Sequence, residues 1–502
     1  MNLLLLLEMA ASGGGDRTAV QIGDQRLTAA ELLAAAWGGA GQLEASSALV
    51  YVGTNSLAFP IGLFACAAAG VPFVPLNYRL DDDRLAAMID TLAETSSAGD
   101  QPGPLVVADT ERVAFFTERG HRVVATADFV DASLAGSTEG EVPVDSEHTA
   151  VLLHTSGTTS APKAAVLRHR HLTSYVIGSV EFGAADQDEA ALVSVPPYHV
   201  AGLANLLSNL YLGRRIVYLP QFDADEWVGT VRSEGVTNAM VVPTMLARIA
   251  DVLDRQGETL PSLRAMSYGG ARTSSQVLSR VMDLLPEVGL TNAYGLTETS
   301  STIAVLGPED HRAARDGDPE AARRLSSAGR LLPSIEVEIR GDDGPVPAGS
   351  PGEIWVRGEQ VSGEYRGIGS GVDDEGWFPT KDRGWVDDDG YLFIEGRSDD
   401  TIIRGGENIA PAEIEEVLLD HPRVAECAVV GVPDDEWGQR IAAVIVAEPG
   451  DVPDVESLRE FVRGRLRGSK TPDQVTFAES LPYTDTGKLL RRNLVSELSE
   501  RD

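Results

Sequence analysis

The sequence predicts a multidomain α/β protein, and three observations predict it. The chain has 502 residues, more than one hydrophobic core accommodates. Over about the first 330 residues, short apolar runs such as 48–52 and 191–195 alternate with longer helical patterns, as buried parallel strands do in α/β layers. The pattern then changes twice, first to period-two alternation and finally to alternating strands and helices.

The apolar run 71–76 is predicted to be a strand at the edge of its sheet. It contains Pro72 and Pro75, and a proline has no N–H to donate to a β-ladder. An edge strand tolerates this loss because one of its sides has no partner strand.

Residues 330–395 are predicted to form a small antiparallel unit, which we expect to be a β-barrel. Residues 335–340 alternate between apolar and polar side chains, as a half-buried strand does. Asp-Gly pairs at 343–344 and 389–390 are typical of hairpin turns.

A third region begins near Gly396 and is predicted to be an α+β unit. Pro411 stands where the first position of a helix favours proline. Ile414, Val417 and Leu418 then fall on one helical face.

Composition excludes several classes of partner. The formal net charge of −35 argues against a nucleic acid or an anionic membrane surface. Cys66 and Cys427 are too few and too far apart for a disulfide framework or a metal site, so a reducing cytoplasm is expected. The leucines at 3–7 are predicted to pack an amphipathic helix onto the domain, and no run approaches the ~20 apolar residues of an integral membrane segment.

The segment 151–163 carries the most informative chemistry. An apolar strand runs into a tight loop of hydroxyl groups and backbone N–H donors, which forms a cradle for anions, and Lys163 adds a positive charge. The loop is not a Walker A motif, because Pro162 precedes the lysine where that motif needs glycine. We interpret it as a phosphate loop with the residues Thr155, Ser156, Gly157, Thr158, Thr159 and Lys163.

This loop resembles the phosphate loop of the adenylate-forming superfamily, which contains acyl-CoA synthetases, peptide-synthetase adenylation domains and beetle luciferases. Further segments resemble the motifs of that family in the family's order, cover essentially the whole chain, and are most similar to fatty-acid and aryl-acid CoA ligases. They are Pro197-Tyr198-His199-Val200-Ala201-Gly202, Tyr268-Gly269-Gly270-Ala271, Asn292-Ala293-Tyr294-Gly295-Leu296-Thr297-Glu298, Thr380-Lys381-Asp382, Gly396-Arg397, Gly405-Gly406-Glu407, and Pro482 to Arg492 with Gly487-Lys488.

The resemblance implies a domain organisation and a reaction. Residues 1–396 would form a large N-terminal domain of two α/β layered subdomains plus the small β-barrel, and residues 397–502 a small mobile α+β C-terminal domain. The reaction would be the ATP-dependent ligation of a fatty or aryl acid to CoA, through an acyl adenylate and with release of pyrophosphate. ATP, Mg²⁺ and coenzyme A are the implied cofactors.

The resemblance also implies roles in adenylation. Lys488 would bridge the acyl carboxylate and the α-phosphate, and Glu298 would hold Mg²⁺, a hard cation that prefers carboxylate and phosphate oxygens. Asp382 would accept the ribose hydroxyls, Arg397 would contact ribose or phosphate, and Tyr294 would stack on adenine. The other residues of the implied nucleotide site are Gly270, Ala271, Asn292, Ala293, Gly295 and Thr297.

Further implied roles concern the thiol and the acyl group. Gly405, Gly406 and Glu407 would line the CoA tunnel, although the two glycines have a simple turn as their alternative. Asp399 would be the hinge about which the C-terminal domain rotates between the half-reactions. The implied acyl pocket contains His199, Leu203, Tyr268, Gly269 and Gly295.

Several of these residues have structural alternatives. His199 is as well explained as a structural histidine as by a gating role at the acyl pocket. Glu298 can also cap a helix, and Asp382 can form an Asx turn. The basic clusters 168–171 and 463–467 are predicted to be solvated faces of the protein.

Four positions depart from the family pattern. Ser160 and Ala164 replace glycines of the phosphate loop, and Lys381 replaces the glycine of Thr-Gly-Asp. Arg272 stands where proline often follows Gly-Gly-Ala. Where the backbone requires a positive φ, a non-glycine residue costs about 1 kcal/mol or more.

Other functions remain open on the sequence. The segment 198–201 has no aspartate to pair with a substrate ammonium, so amino-acid adenylation is disfavoured. An acyl-AMP ligase that loads an acyl carrier protein, a luciferase-type oxygenase and a degenerate adenylate-binding protein share many of the motifs, although the retained charged residues argue against the last. A homodimer is the oligomeric state considered.

Overall fold

The computed structural model describes residues 1–96, 102–136, 140, 145–155, 163–257, 259–434, 437–448, 450–483 and 489–499. The helices of this part are α1 (Leu4–Gly14), α2 (Ala29–Gln42), α3 (Ala58–Ala69), α4 (Asp82–Ser96), α5 (Thr110–Glu118), α6 (Thr126–Ala135), α7 (His169–Ser179), α8 (Val200–Leu212), α9 (Ala224–Ser233), α10 (Pro243–Gln256), α11 (Ser275–Leu284), α12 (Pro308–Arg315), α13 (Pro319–Arg324), α14 (Pro411–Leu419), α15 (Val455–Arg463) and α16 (Arg491–Ser499). Its strands are β1 (Thr18–Ile22), β2 (Gln25–Thr28), β3 (Leu49–Val52), β4 (Phe73–Pro75), β5 (Leu105–Ala108), β6 (Arg122–Ala125), β7 (Thr149–Thr155), β8 (Lys163–Arg168), β9 (Ala190–Val193), β10 (Arg215–Tyr218), β11 (Asn238–Val241), β12 (Ala265–Gly269), β13 (Gly289–Leu296), β14 (Ser301–Leu306), β15 (Ser327–Leu331), β16 (Glu336–Gly341), β17 (Gly344–Pro345), β18 (Gly352–Arg357), β19 (Glu364–Tyr365), β20 (Gly369–Ser370), β21 (Phe378–Val386), β22 (Tyr391–Arg397), β23 (Ile402–Arg404), β24 (Glu407–Ile409), β25 (Val424–Asp434), β26 (Gly438–Ala447) and β27 (Gln474–Phe477).

The first sheet joins the predicted parallel strands to the predicted antiparallel unit. Its order is β17-β16-β18-β21-β22-β15-β14-β13-β12-β11-β9-β10-β1-β2. The pairs from β10 to β13 are parallel, whereas those from β13 to β17 are antiparallel. The pairings of the described residues leave β17 and β2 at the two ends of the sheet, so the closure of a barrel stays a prediction.

The second sheet corrects one strand prediction. Its order is β20-β19-β8-β7-β4-β3-β5-β6, and β4 therefore lies inside the sheet and not at its edge. The prolines fit there because they stand at the limits of the strand. Pro72 precedes β4 and its carbonyl accepts a hydrogen bond from Leu49, while Pro75 is the last residue of β4.

Helices cover the sheets on three sides, and the α/β prediction is confirmed. α1, α2, α3, α7 and α8 contribute to a core shared by the two sheets, α9–α11 cover the far face of the first sheet, and α4 and α5 that of the second. Four of the first leucines, Leu3, Leu4, Leu6 and Leu7, are fully buried, as expected of an amphipathic helix. None of the described helices has the length and apolar character needed to cross a membrane.

A smaller α+β unit ends the chain, as predicted. β25, β26 and β27 form a mixed sheet, β23 and β24 form a hairpin, and α14 begins at Pro411 as expected. Ile414 and Leu418 are buried in this unit, whereas Val417 packs against its core. The proposed boundary after residue 396 stays a prediction.

The basic cluster 168–171 is not a solvated face, which corrects a second prediction. His169 and His171 are 2% and 1% exposed. Their Nδ1 atoms accept hydrogen bonds from the backbone N–H groups of Leu3 and Arg168, respectively, and these bonds replace hydrogen bonds to water. Burial lowers the pKa of His169 to about 4 and that of His171 to about 3. The Arg168 guanidinium binds the carboxylate of Glu364 at 2.6 and 2.9 Å. In the other cluster the arginines are exposed, as predicted.

Candidate active site

The predicted phosphate loop connects two antiparallel strands of the second sheet. Thr155 ends β7 and pairs with Lys163, which begins β8, and the Thr155 hydroxyl donates to the Lys163 carbonyl at 3.3 Å. Burial lowers the pKa of the neighbouring His154 to about 4, and the nearby Arg366 charge acts in the same direction. His154 is therefore neutral at pH 7. The predicted loop residues Ser156, Gly157, Thr158 and Thr159 lie outside the described residues, as do Ser160 and Pro162.

The structure brings together Tyr294 of β13, Asp382 in the middle of β21 and Arg397 at the end of β22. The Tyr294 hydroxyl donates to Oδ2 of Asp382 at 2.5 Å, and Nη1 of Arg397 lies 3.2 Å from Oδ1. Burial and the charge of Asp382 raise the pKa of Tyr294 well above its usual range. The structure thus places one phenol and one guanidinium on the carboxylate that was expected to bind ribose.

Lys381 adopts the conformation that the glycine of the family motif would favour. Its φ is +62°, in the left-handed region. The residues 380–382 form a bulge opposite Ile354, whose carbonyl accepts a hydrogen bond from the Thr380 hydroxyl at 2.7 Å. The bulge turns Asp382 into the interior while Lys381 stays exposed. The residue next to Asp382 in the predicted nucleotide site is therefore a lysine with a strained backbone.

The motif glycines of β12 and β13 are required by the packing of the strands themselves. A Cβ on Gly269 would lie 2.1 Å from the carbonyl oxygen of Ala293. A Cβ on Gly295 would lie 1.9 Å from the carbonyl oxygen of Ser301. Gly270 and Ala271 follow directly after β12, and Asn292 and Ala293 on β13 pair with Tyr268 and Gly269 at the end of β12.

Glu298 lies in a 3-10 turn, Thr297–Thr299, that follows β13 directly. Its Oε1 accepts a hydrogen bond from the hydroxyl of Tyr365 at 2.5 Å, and no ion pair to it is found within the described part of the chain. The capping role considered above is taken by Leu296 and Thr299, because the Leu296 N–H donates to the Thr299 hydroxyl at 3.0 Å. The Glu298 side chain is thus free for a ligand-binding role on one of its oxygens.

The residues expected around Glu298 fit a magnesium–nucleotide complex. The described residues contain no cluster of three or more His, Cys, Asp or Glu side chains that could hold a metal ion on their own. Mg²⁺ is typically held by one or two carboxylates together with the phosphates of a nucleotide. A single carboxylate close to a phosphate loop is sufficient for that arrangement.

The structure does not bring all the predicted acyl-pocket residues together. Tyr268 is 2% exposed, and its hydroxyl bonds Nε2 of His311 at 2.8 Å, so its side chain belongs to the core beneath α9–α11. Leu203 is 1% exposed in the core between the sheets. His199 caps the start of α8 with its backbone, is only partly buried, and lies with its ring 4.4 Å from that of Tyr198. Of these three, only His199 is partly exposed.

The predicted hinge and tunnel residues lie at the start of the C-terminal unit. Asp399 is in a 3-10 turn, Ser398–Asp400, between β22 and β23. Gly405 and Gly406 have φ values of +57° and +83° and connect β23 to β24, so the hairpin turn alone accounts for both glycines. Glu407 follows as the first residue of β24.

The two units of the chain contact each other beside the predicted adenine segment. Arg272, at the position where the family often has proline, pairs with Glu416 of α14 at 2.6 Å. Lys488 lies outside the described residues, but the residues that flank its segment are connected: Tyr483 and Leu489 form a β-bridge, and the Leu490 N–H donates to the Pro482 carbonyl. A role for Lys488 stays a prediction.

Tyr365 is the residue of this site that sequence reasoning missed. It lies 67 positions from Glu298, its hydrogen-bond partner, and no local motif connects the two. Its neighbour Glu364, which pairs with Arg168, was missed for the same reason. The only signal in the sequence is a tyrosine between two charged residues, Glu364 and Arg366.

Comparison with known families and proteins yields matches over most of the chain. Residues 7–366 match the family described as AMP-binding enzyme, and residues 413–488 match the AMP-binding enzyme C-terminal domain. A feruloyl-CoA synthase of an Amycolatopsis species is 35% identical over 487 residues, which cover 94% of each chain. A 2-succinylbenzoate–CoA ligase of Bacillus cereus is 33% identical over 494 residues, which cover 95% of each chain.

Solved structures give the same result. The o-succinylbenzoate CoA synthetase of Bacillus subtilis, in complex with its acyl-adenylate intermediate, is 28% identical, with a TM-score of 0.83 and 97% of each chain covered. The same synthetase in complex with ATP and a magnesium ion has a TM-score of 0.82, is 28% identical, and is covered over 98% of its length and 97% of this chain.

Proposed function

Because the chain belongs to the AMP-binding enzyme family, we propose that it is an ATP-dependent acid–CoA ligase whose substrate is an aryl acid. It would form an acyl adenylate, release pyrophosphate and then transfer the acyl group to CoA. The observation that carries this proposal is the cluster of Tyr294, Asp382 and Arg397, with Glu298 in the 3-10 turn that follows β13. The expected enzyme class, an acid–thiol ligase, agrees with the relatives.

The nucleoside end of ATP has a built site in this cluster. Each oxygen of Asp382 already has a partner, which orients the carboxylate before the nucleotide binds. A carboxylate has about four lone-pair sites, more than the two that Tyr294 and Arg397 use, and the ribose hydroxyls would donate to this carboxylate. The raised pKa of Tyr294 keeps its phenol protonated as a donor at neutral pH.

The reaction itself needs positive charge, because a carboxylate must approach an α-phosphate that is also anionic. Positioning and electrostatic stabilisation then provide most of the catalysis. Lys163, at the end of the phosphate loop, would contact phosphate oxygens, and Lys488 would bridge the two reacting groups. Mg²⁺ held by Glu298 would neutralise phosphate charge. The net charge of −35 makes these local cations necessary.

An aryl acid is favoured over a fatty acid by the two relatives described above, which are named for feruloyl and succinylbenzoate substrates. An aromatic group next to α8 is consistent with it, since the buried rings of Tyr78 and Tyr198 and the partly buried ring of His199 follow one another with centroids 5.4 and 4.4 Å apart. An aromatic substrate gains from edge or offset contacts with such rings. Gly405, Gly406 and Glu407 would receive the thiol arm of CoA after rotation about Asp399.

Three finer expectations belong to this proposal. An acyl carrier protein can replace CoA as the acceptor, because the second half-reaction requires only a thiol. A homodimer is the expected assembly, which light scattering tests directly. A cytoplasmic location is supported by Cys66 and Cys427, which are both buried as free thiols.

The test is pyrophosphate release with ATP and Mg²⁺ over a panel of aryl, fatty and amino acids, with and without CoA, and with mass detection of the acyl-CoA. Aryl-dependent turnover that requires CoA, and that falls at least 100-fold in Lys488→Ala, is the expected result. Lys470→Ala is the matched control, because Lys470 lies in the same unit and pairs with Glu413 at 2.5 Å.

Other outcomes separate the alternatives. A single acid-dependent burst that CoA does not extend points to a carrier-protein acceptor. Turnover with fatty acids alone refutes the aryl substrate. No release with any acid refutes the ligase.

A further inference from the structure

A short segment of the large unit wraps around Glu298. We call residues 360–366 the strap. The Ser362 N–H donates to the Glu298 carbonyl at 2.8 Å, and Nε2 of Gln360 donates to the Thr299 carbonyl at 3.0 Å. The backbone of the Glu298 turn is therefore held from outside by hydrogen bonds that do not depend on β13.

The backbone directly after the turn held by the strap is strained. Ser300 and Ser301, which follow it, have φ values of +58° and +126°, although neither is glycine. The Ser300 hydroxyl donates to the Gln360 carbonyl at 2.8 Å. Such conformations persist where surrounding contacts determine them, and they concentrate at functional sites.

The strap also pairs with the strand that leaves the phosphate loop. Tyr365 is the ladder partner of Ala165 on β8, and the Arg366 N–H donates to the Ala164 carbonyl at 2.9 Å. The Ser362 hydroxyl donates to the Val166 carbonyl. One segment thus connects the backbone of the phosphate-loop hairpin to the turn that carries Glu298.

Tyr365 extends this connection to the side chains. Its hydroxyl donates to Oε1 of Glu298 at 2.5 Å, and Nζ of Lys163 lies 5.7 Å from the centroid of its ring, within the range of a cation–π contact. The hydrogen bond occupies one carboxylate oxygen and leaves the other for a ligand.

We propose that Tyr365 is a positioning residue, which orients the Glu298 carboxylate for the divalent cation of the bound nucleotide. The inference rests on the proposed function, because it takes Glu298 as the cation ligand. Mutation of a residue that orients a metal ligand typically lowers metal affinity or activity 10–100-fold. Tyr365 thus belongs to the cation site although it does not touch the cation.

The test is Tyr365→Phe, which keeps the ring and its contact with Lys163 but removes the hydroxyl. Calorimetry gives the dissociation constant of a non-hydrolysable ATP analogue with and without Mn²⁺, and the ratio of the two measures how much the cation strengthens binding. We expect this ratio to fall about tenfold in Tyr365→Phe, with nucleotide binding in the absence of Mn²⁺ unchanged.

Two further variants make the test specific. Tyr391→Phe is the matched control, since it removes a phenol that bonds the Asp310 carboxylate at 3.1 Å away from the site, and it should leave the ratio unchanged. In a Glu298→Ala background, Tyr365→Phe should have no additional effect on the ratio.

The outcomes separate this proposal from the proposed function. An unchanged ratio in Tyr365→Phe, with a folded protein by circular dichroism, refutes the positioning role and leaves the ligase proposal standing. Wild-type protein that binds neither form of the nucleotide refutes the ligase proposal and the positioning role together. The calorimetry samples contain neither an acid nor CoA, so the result does not depend on which acid or thiol the enzyme uses.

Discussion

Lys381→Gly is expected to stabilise the protein. Lys381 has a φ of +62°, where the Cβ of an L-residue costs about 1–2 kcal/mol. Glycine removes that strain but loses about 0.5–1 kcal/mol through the greater freedom of the unfolded chain. The Lys381 side chain is exposed and makes no ion pair with any described residue, so its loss has little further effect. The net stabilisation is about 0.5–1 kcal/mol.

Urea unfolding followed by tryptophan fluorescence measures this change. Trp377 and Trp385 flank the bulge in the chain, and Trp385 is stacked on Phe393 at 5.1 Å, so both report on the unit that contains Lys381. With a slope of about 1–3 kcal/mol per molar urea, the midpoint should rise by roughly 0.2–1 M.

Lys381→Ala is the control that isolates the backbone effect. It removes the same long side chain but keeps the Cβ, and so keeps the strain. Its midpoint should stay close to that of the wild type. If the glycine and alanine variants unfold at the same urea concentration, the left-handed backbone is not a source of strain and the reasoning fails.

Two predictions concern ionisable side chains that are buried. Burial lowers the pKa of His169 to about 4 and that of His171 to about 3, so the unfolded chain takes up their protons first. The free energy of unfolding should therefore fall as the pH drops from about 6.5 to about 4 for His169 and to about 3 for His171, by roughly 2 kcal/mol per histidine at pH 5. His171→Asn, which keeps an acceptor but does not titrate, should flatten the pH profile, and an unchanged slope would contradict the assignment. Arg491→Met should lower the free energy of unfolding in urea by about 3 kcal/mol, because it leaves the largely buried Glu415 carboxylate without its ion pair. Arg463→Met, whose partner Glu456 is exposed, should lower it by less than about 1 kcal/mol. Equal losses in the two variants would refute this prediction.

Elements specified by near neighbours could be predicted from the sequence. Patterns of a few residues account for the Pro411 start of α14, for the alternating strand β16, and for the burial of Leu3, Leu4, Leu6 and Leu7. The order of the motifs also indicated the family correctly, because the chemistry of adenylation requires particular residue types at several places along one chain.

The sequence did not determine which face of a sheet a side chain occupies or which strands are neighbours. Tyr268 lies in a motif segment, but strand alternation puts it with Met266 on the face covered by α9–α11, where it bonds His311. The strand β4 lies within its sheet despite its prolines, since they stand where no ladder donor is needed. Composition alone reveals neither the face nor the neighbour.

By itself, the sequence determined the family, the fold class and the types of charged residue available for adenylation. Only the tertiary structure decided that the Tyr365 hydroxyl meets Glu298, that Tyr294 and Arg397 share Asp382, and that Lys381 takes a left-handed backbone. The physical reason is that hydrogen bonds act over about 3 Å in space whatever the separation in the chain. Pairs such as Glu298 and Tyr365, 67 positions apart, leave no periodic or local signal in the sequence.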